Sequence, residues 1–187
     1  LKPFGLPGGL VFPEIRETAG DFGVTEAFGD PIPIKCVVAD QQAALFGEAC
    51  FEKGSVKCTN GTGSFIDVNT GGEPMASIHR LTPLIAWKLQ GKTTYMMEGI
   101  ISSAGSSIQW LRDNLQIIGD AAESQDLAQA CDDCGGVYVV PAFTGLTAPY
   151  WDPYARGIVI GLTRATTKEQ VVRATLEGFV PVEEMEE

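Results

Sequence analysis

An aspartate closes a short apolar run in this chain, Ile32-Pro-Ile-Lys-Cys-Val-Val-Ala-Asp40, and the chain continues as Gln41-Gln-Ala-Ala-Leu-Phe-Gly47. A carboxylate held between two rigid elements suits a general base that takes a proton from a hydroxyl attacking a phosphoryl group. A weak base is adequate there, because the transition state is loose and the proton can leave late. The competing reading of Asp40 is a helix N-cap, where helix N–H groups stabilise the ionised form and lower its basicity. Asn60-Gly-Thr-Gly63 is suited to cradle a phosphate, since glycines let backbone N–H groups approach an anion and threonine adds a hydroxyl donor. The same residues serve any hairpin turn. Phe65, two residues on, fits either a pocket for a carbon chain or the core. Gly105 and Gln109 lie one helical turn apart, which sets a gap beside an amide; the pair fits a nucleotide contact or close packing of the helix. Cys131-Asp-Asp-Cys134 has the spacing of a redox or zinc pair. Structural zinc needs two further N or S ligands, however, the other cysteines are distant and His79 is the only imidazole, so a frayed helix end is the expected reading.

The formal net charge of −11 argues against a nucleic-acid partner, which requires clustered Lys and Arg. Acidity does not exclude ATP, because backbone N–H groups and magnesium can hold a nucleotide without appearing in a charge count. The 44% hydrophobic content is that of a globular chain of one domain or parts of two. No apolar run approaches the roughly 18–20 residues that span a bilayer, so no membrane partner is expected. Five cysteines and one histidine fit a reduced, cytoplasmic protein better than a disulfide framework, and Cys36, Cys50 and Cys58 read as core.

The elements that must position these residues follow from pattern. The first thirty residues are Gly- and Pro-rich and read as connection. Ile32 to Asp40 predicts a short buried strand, and Gln41 to Phe51 a helix. Ser55–Thr59 and Ser64–Asn69 flank the Asn60–Gly63 turn, and Thr82–Leu89 and Thr93–Glu98 make a second antiparallel pair. Ile101, Ala104, Ile108, Leu111 and Leu115 predict an amphipathic helix of roughly four turns. A helix over Ala121–Ala130 and strands over Val137–Pro141 and Gly157–Leu162 follow. A last helix is expected from Thr166, with Thr-Thr-Lys-Glu169 as its capping box and Pro181 interrupting it. This pattern alone gives a mixed α/β class.

Several long strings carry a resemblance. They are Ala39-Asp-Gln-Gln-Ala-Ala-Leu-Phe-Gly47, Gly61-Thr-Gly63, Gly105-Ser-Ser-Ile-Gln-Trp-Leu-Arg-Asp113, Gly136-Val-Tyr-Val-Val-Pro-Ala-Phe-Thr-Gly145 and Tyr150-Trp-Asp-Pro-Tyr-Ala-Arg156. Together with Gly157-Ile-Val-Ile-Gly-Leu162 and Gln170-Val-Val-Arg-Ala-Thr-Leu-Glu177, they make the chain resemble the glycerol kinases of the FGGY carbohydrate kinase family. Ile100-Ile-Ser-Ser-Ala104 is more polar than the family's usual stretch there. The resemblance implies a partial actin-like ATPase (ribonuclease H-like) fold of the α/β class. Residues 1–52 would end the first kinase domain, and 53–187 would lead the second. It implies an internal fragment, with the first phosphate loop, most glycerol contacts, a magnesium-binding carboxylate and the adenine-binding glycines all lying elsewhere.

By the same resemblance Asp40 is the catalytic base and touches substrate, Gln41 hydrogen-bonds glycerol, and Phe65 packs on its carbon chain. Gly61 and Thr62 contact phosphate, and Gly105 and Gln109 contact the nucleotide. Implied partners are glycerol and ATP or ADP, with Mg2+ as cofactor, and a homo-oligomer of the longer protein stays open. Two alternatives also stay open: a kinase for another polyol or sugar, and a non-catalytic truncated binding or regulatory protein.

Overall fold

The computed structural model describes residues 11–179. In chain order they form β1 (Val24–Thr25), β2 (Ile32–Pro33), α1 (Asp40–Gly47), β3 (Val56–Asn60), β4 (Ser64–Gly71), β5 (Thr82–Leu89) and β6 (Lys92–Ile101). Then come α2 (Gly105–Asp113), α3 (Glu123–Gln129), β7 (Tyr138–Val140), β8 (Ile158–Ile160) and α4 (Lys168–Glu177). The centre is a four-stranded antiparallel sheet in the order β3-β4-β6-β5, flanked by the separate pairs β1-β2 and β7-β8.

Two hairpins build the central sheet. In the first, Asn60 pairs with Ser64 around Gly61-Thr62-Gly63. In the second, Leu89 pairs with Lys92 around Gln90-Gly91, whose φ angles of 52° and 79° give the positive-φ turn that matches strand twist. The first hairpin sets Lys57 opposite Asp67, and the β4-β6 register sets Asp67 opposite Glu98. Alternate residues share a face, so Lys57, Thr59, Phe65, Asp67 and Glu98 all lie on one side of the sheet. α1 packs on that side: Leu45 is fully buried among Cys50, Ala86, Trp87 and Met96, and Asn69 donates its amide to the carbonyls of Cys50 and Phe51 at 2.9 and 3.1 Å. A second core joins α2 to α4 through Ile108, Leu111, Ile118 and Val172, and a third joins β7 to α4 through Val137, Val139 and Ala174.

Several expectations are corrected. The buried strand expected over Ile32–Asp40 is reduced to Ile32–Pro33 plus one bridge from Cys36 to Ala19, and all of residues 31–40 are exposed, with Val37 58% accessible. A continuous apolar run is the mark of a strand covered on both faces, and no described element covers this one. Cys36 is accordingly exposed, Cys58 on edge strand β3 is exposed as well, and only Cys50 is buried as expected. The four-turn helix shrinks to Gly105–Asp113, because Ile101 is still the last residue of β6 and Leu115 lies beyond the end. The last helix starts one residue later than expected: Thr167 is the N-cap and exchanges both capping-box bonds with Gln170, while the Thr166 hydroxyl accepts from the Thr163 N–H. Pro181 lies outside the described residues.

Candidate functional site

Asp40 is the first residue of α1, not its cap. The N-cap is Ala39, which makes no side-chain cap bond, and Asp40 Oδ1 accepts only the adjacent Gln41 N–H at 2.8 Å. The carboxylate is exposed, so its remaining lone pairs face solvent and can meet a hydroxyl. Gln41, next along and half-buried, turns its side-chain oxygen to the Lys57 ammonium.

Lys57 is the centre of the arrangement beneath. Its ammonium donates to Gln41 Oε1 and to Thr59 Oγ1 at 2.8 Å, and it lies 2.6 Å from Asp67 Oδ2, with both charged side chains fully buried. Neither Asp67 oxygen has an aligned hydrogen-bond donor within the protein. Burial pushes the Asp67 carboxyl above its ordinary range, against the opposing pull of Lys57. Glu98, across the strand, is raised by burial first and then by the Asp67 charge. Phe65 is half-buried on the same face, two residues from Asp67 and opposite Thr59 and Ile100.

Strand β3 carries this polar row directly into the Gly61–Gly63 turn, which is clamped to the start of α2. The Thr62 carbonyl accepts from the N–H groups of Ala104 and Ser106 at 3.0 and 3.1 Å, and the Gly61 carbonyl accepts from Gly105 N–H at 3.0 Å. Gly105 is required by contact: a Cβ there would lie 2.4 Å from the Gly61 carbonyl oxygen. Gly63 is required likewise, because its Cβ would lie 2.5 Å from the Ile101 carbonyl oxygen. The turn and helix wall a cleft of about 310 Å³ lined by Gly61, Thr62, Gly105 and Gln109, together with Arg112 and Ser124. Gly105 therefore both packs closely and lines an opening. The Arg112 guanidinium forks onto Asp113 at 2.7 and 2.9 Å, and each holds the other's charge, lowering the Asp113 carboxyl and raising the guanidinium.

The structure thus joins Asp40 and Gln41 to Phe65 through one sheet face, and Gly61 and Thr62 to Gly105 and Gln109 through one cleft. The sequence reading missed Lys57, Asp67, Glu98, Arg112 and Ser124. For the first two a signal was present: a hairpin turning at Gly61–Gly63 pairs position 57 with 67, and an opposite-charge pair inside an apolar sheet marks a built polar site. At the other end of the chain, the Cys134 thiol donates to Glu177 at 3.0 Å, and burial with that carboxylate pushes it up to about 11. Among the described residues no group of three or more His, Cys, Asp and Glu side chains is placed to hold a metal ion, and no helix is long and apolar enough to cross a membrane.

The profile of the FGGY family of carbohydrate kinases, C-terminal domain, matches residues 56–180. A glycerol kinase of Alteromonas mediterranea is 52% identical over 95% of this chain, which spans 36% of that relative. Among solved structures, glycerol kinase of Plasmodium falciparum with ADP superposes with a TM-score of 0.79 at 40% identity, covering 89% of this chain and 34% of that one. Xylulose kinase of Rhodospirillum rubrum superposes at 0.70 with 23% identity over 93% of this chain and 36% of its own, a likeness of fold alone. The chain spans about a third of the length of the curated relatives it matches. The fold is an actin-like ATPase fold, present in part.

Proposed function

The chain belongs to the FGGY family of carbohydrate kinases, and from that premise we propose that it forms one wall of the cleft of an ATP-dependent glycerol kinase, making sn-glycerol 3-phosphate in the cytoplasm. Residues 1–52 end the first domain of that kinase and 53–187 lead the second. Asp40 accepts the proton of the terminal glycerol hydroxyl as that oxygen bonds to the γ-phosphorus, and the bond from phosphorus to the bridging oxygen breaks with its electrons leaving on ADP. Gln41 hydrogen-bonds the glycerol, and Phe65 packs against its carbon chain. Gly61 and Thr62 donate to the transferred phosphoryl, while Gly105 and Gln109 hold the nucleotide.

The observation that carries this reading is the covalent and polar continuity between acceptor and donor sites: Gln41 is held by Lys57 on β3, and β3 runs straight into the turn that walls the cleft. One rigid hairpin can then set the distance between the attacking hydroxyl and the phosphates, and phosphoryl transfer depends mainly on such positioning. Magnesium accompanies ATP in this reading, yet the described residues offer it no ligand set of their own, so they do not fit the ion by themselves.

The test is Asp40→Asn in the full-length polypeptide that carries this segment. Loss of the base is expected to lower kcat by roughly 10²–10⁴-fold, with a small change in KM for glycerol. Undiminished turnover overturns the assignment. Faster phosphorylation of a ketopentose than of glycerol overturns the substrate.

A further inference from the structure

Burying a lysine beneath the start of α1 is not something a stable sheet requires. Well-packed apolar side chains commonly replace buried ion pairs without loss of stability, so stability alone does not account for Lys57. The ammonium faces three partners: it donates to Thr59 Oγ1 at 2.8 Å, forms an ion pair with Asp67 Oδ2 at 2.6 Å, and donates to the side-chain oxygen of Gln41. The third is the informative one. An amide has an acceptor end and a donor end, and an ammonium can engage only the acceptor. With the Gln41 oxygen taken, its NH2 is left to donate elsewhere, on the residue that directly follows the exposed Asp40.

We propose that Lys57 is a positioning residue that fixes the polarity of Gln41, so that the Gln41 amide donates to a substrate hydroxyl oxygen while Asp40 accepts that hydroxyl's proton. The inference rests on the kinase reading above and deepens it. Without Lys57 the amide is free to flip. Flipped, its oxygen competes with Asp40 for the same hydroxyl hydrogen, and the hydroxyl loses the donor that holds its oxygen in place. Asp67 completes the device, anchoring the ammonium on the sheet through the buried ion pair at 2.6 Å. Lys57 touches no substrate in this scheme and acts only through Gln41.

The test is a kinetic double-mutant cycle in the full-length polypeptide, with glycerol varied at saturating ATP. Lys57→Met and Gln41→Ala are each expected to raise KM for glycerol about tenfold, the effect of losing one hydrogen bond, and to leave KM for ATP unchanged. In the Gln41→Ala background, Lys57→Met is expected to change KM for glycerol less than about twofold, because its route is already cut. A folded Lys57→Met protein with unchanged KM overturns the proposal, as does full multiplication of the two effects. Gln41→Glu gives a second arm that leaves the core intact: it keeps the oxygen that Lys57 holds and removes the N–H donors. It is expected to raise KM for glycerol at least as far as Gln41→Ala, and an unchanged KM overturns the proposal even if Lys57→Met does not fold. If Asp40→Asn loses turnover while Lys57→Met alone behaves as wild type, only the role of Lys57 falls; if the Gln41 variants also behave as wild type, the Gln41 contact falls with it; if Asp40→Asn turns over undiminished, the kinase reading falls first.

Discussion

Asp67 and Glu98 face each other across β4 and β6, and burial raises both carboxyls above their ordinary values. The folded state therefore holds more protons than the unfolded chain over the window from the ordinary carboxylate range up to the raised values. Linkage then fixes the sign: their contribution to stability is greatest below that window, declines as pH climbs through it, and is level above it. The groups that face them are Lys57, which opposes the shift, and Asp40, whose charge adds to it. Glu98→Gln keeps the size of the side chain and removes one titrating carboxyl. Its melting temperature minus that of the wild type, followed from about pH 4 to about pH 8, is expected to rise with pH. Parallel curves would show that folding does not raise the Glu98 carboxyl. Elsewhere, Cys134 is expected to be alkylated far more slowly at neutral pH than the exposed Cys36 and Cys58, since its raised thiol yields little of the nucleophilic thiolate. Peptide mapping after brief iodoacetamide treatment reads this directly, and equal labelling of all three contradicts it.

At the scale of elements, the turn at Gly61–Gly63 and the start of α2 act as one piece, because their backbones are in contact where Gly105 has no Cβ. Gly105→Ala is expected to cost about 1–3 kcal/mol by overpacking against backbone and to raise KM for ATP more than KM for glycerol. Chemical denaturation with paired kinetics tests both, and a wild-type KM for ATP would separate this contact from the nucleotide. Thr167→Ala removes a cap whose side chain accepts from the Gln170 N–H, and is expected to cost about 1 kcal/mol with no kinetic effect. Both hairpins, the order of helices and the Gly61–Thr62 and Gly105–Gln109 groupings were legible in sequence, because turn chemistry and strand alternation are local. Helix ends were less so: Ile101 satisfies the helical period of α2 yet is taken by β6, and Thr166 and Thr167 offer equivalent caps until the Thr163 N–H claims one. The polar row was missed for a different reason. The hairpin turn pairs Lys57 with Asp67 locally, but Glu98 joins them only through the β4-β6 register, and the alternation of β3 and β4 does not by itself reveal it.

At the scale of the whole molecule, the described residues present Asp40 and the Gly61–Gly63 turn on open surfaces, and the run before Asp40 is apolar and exposed. On the proposed reading, a base that faces solvent and a phosphate-binding turn with one wall can bind neither substrate in a fixed pose. Holding reactants in near-attack geometry supplies roughly 7–11 kcal/mol of a barrier, which is several powers of ten in rate. The curated relatives set against this chain about two further thirds of sequence, since it spans 36% of their length. On the proposed reading, that further sequence of the relatives is the source of the second wall, and with it of water exclusion and charge stabilisation around the γ-phosphate. The 187-residue chain alone is therefore expected to show no glycerol-dependent ADP release above its own Asp40→Asn control. Fusing it in place of the matching segment of the Alteromonas mediterranea relative is expected to restore turnover, because the facing wall then returns in register. Turnover by the chain alone would mean that its open face organises both substrates without help. An inactive but folded fusion would mean that this sequence has kept the fold of a kinase wall without its chemistry.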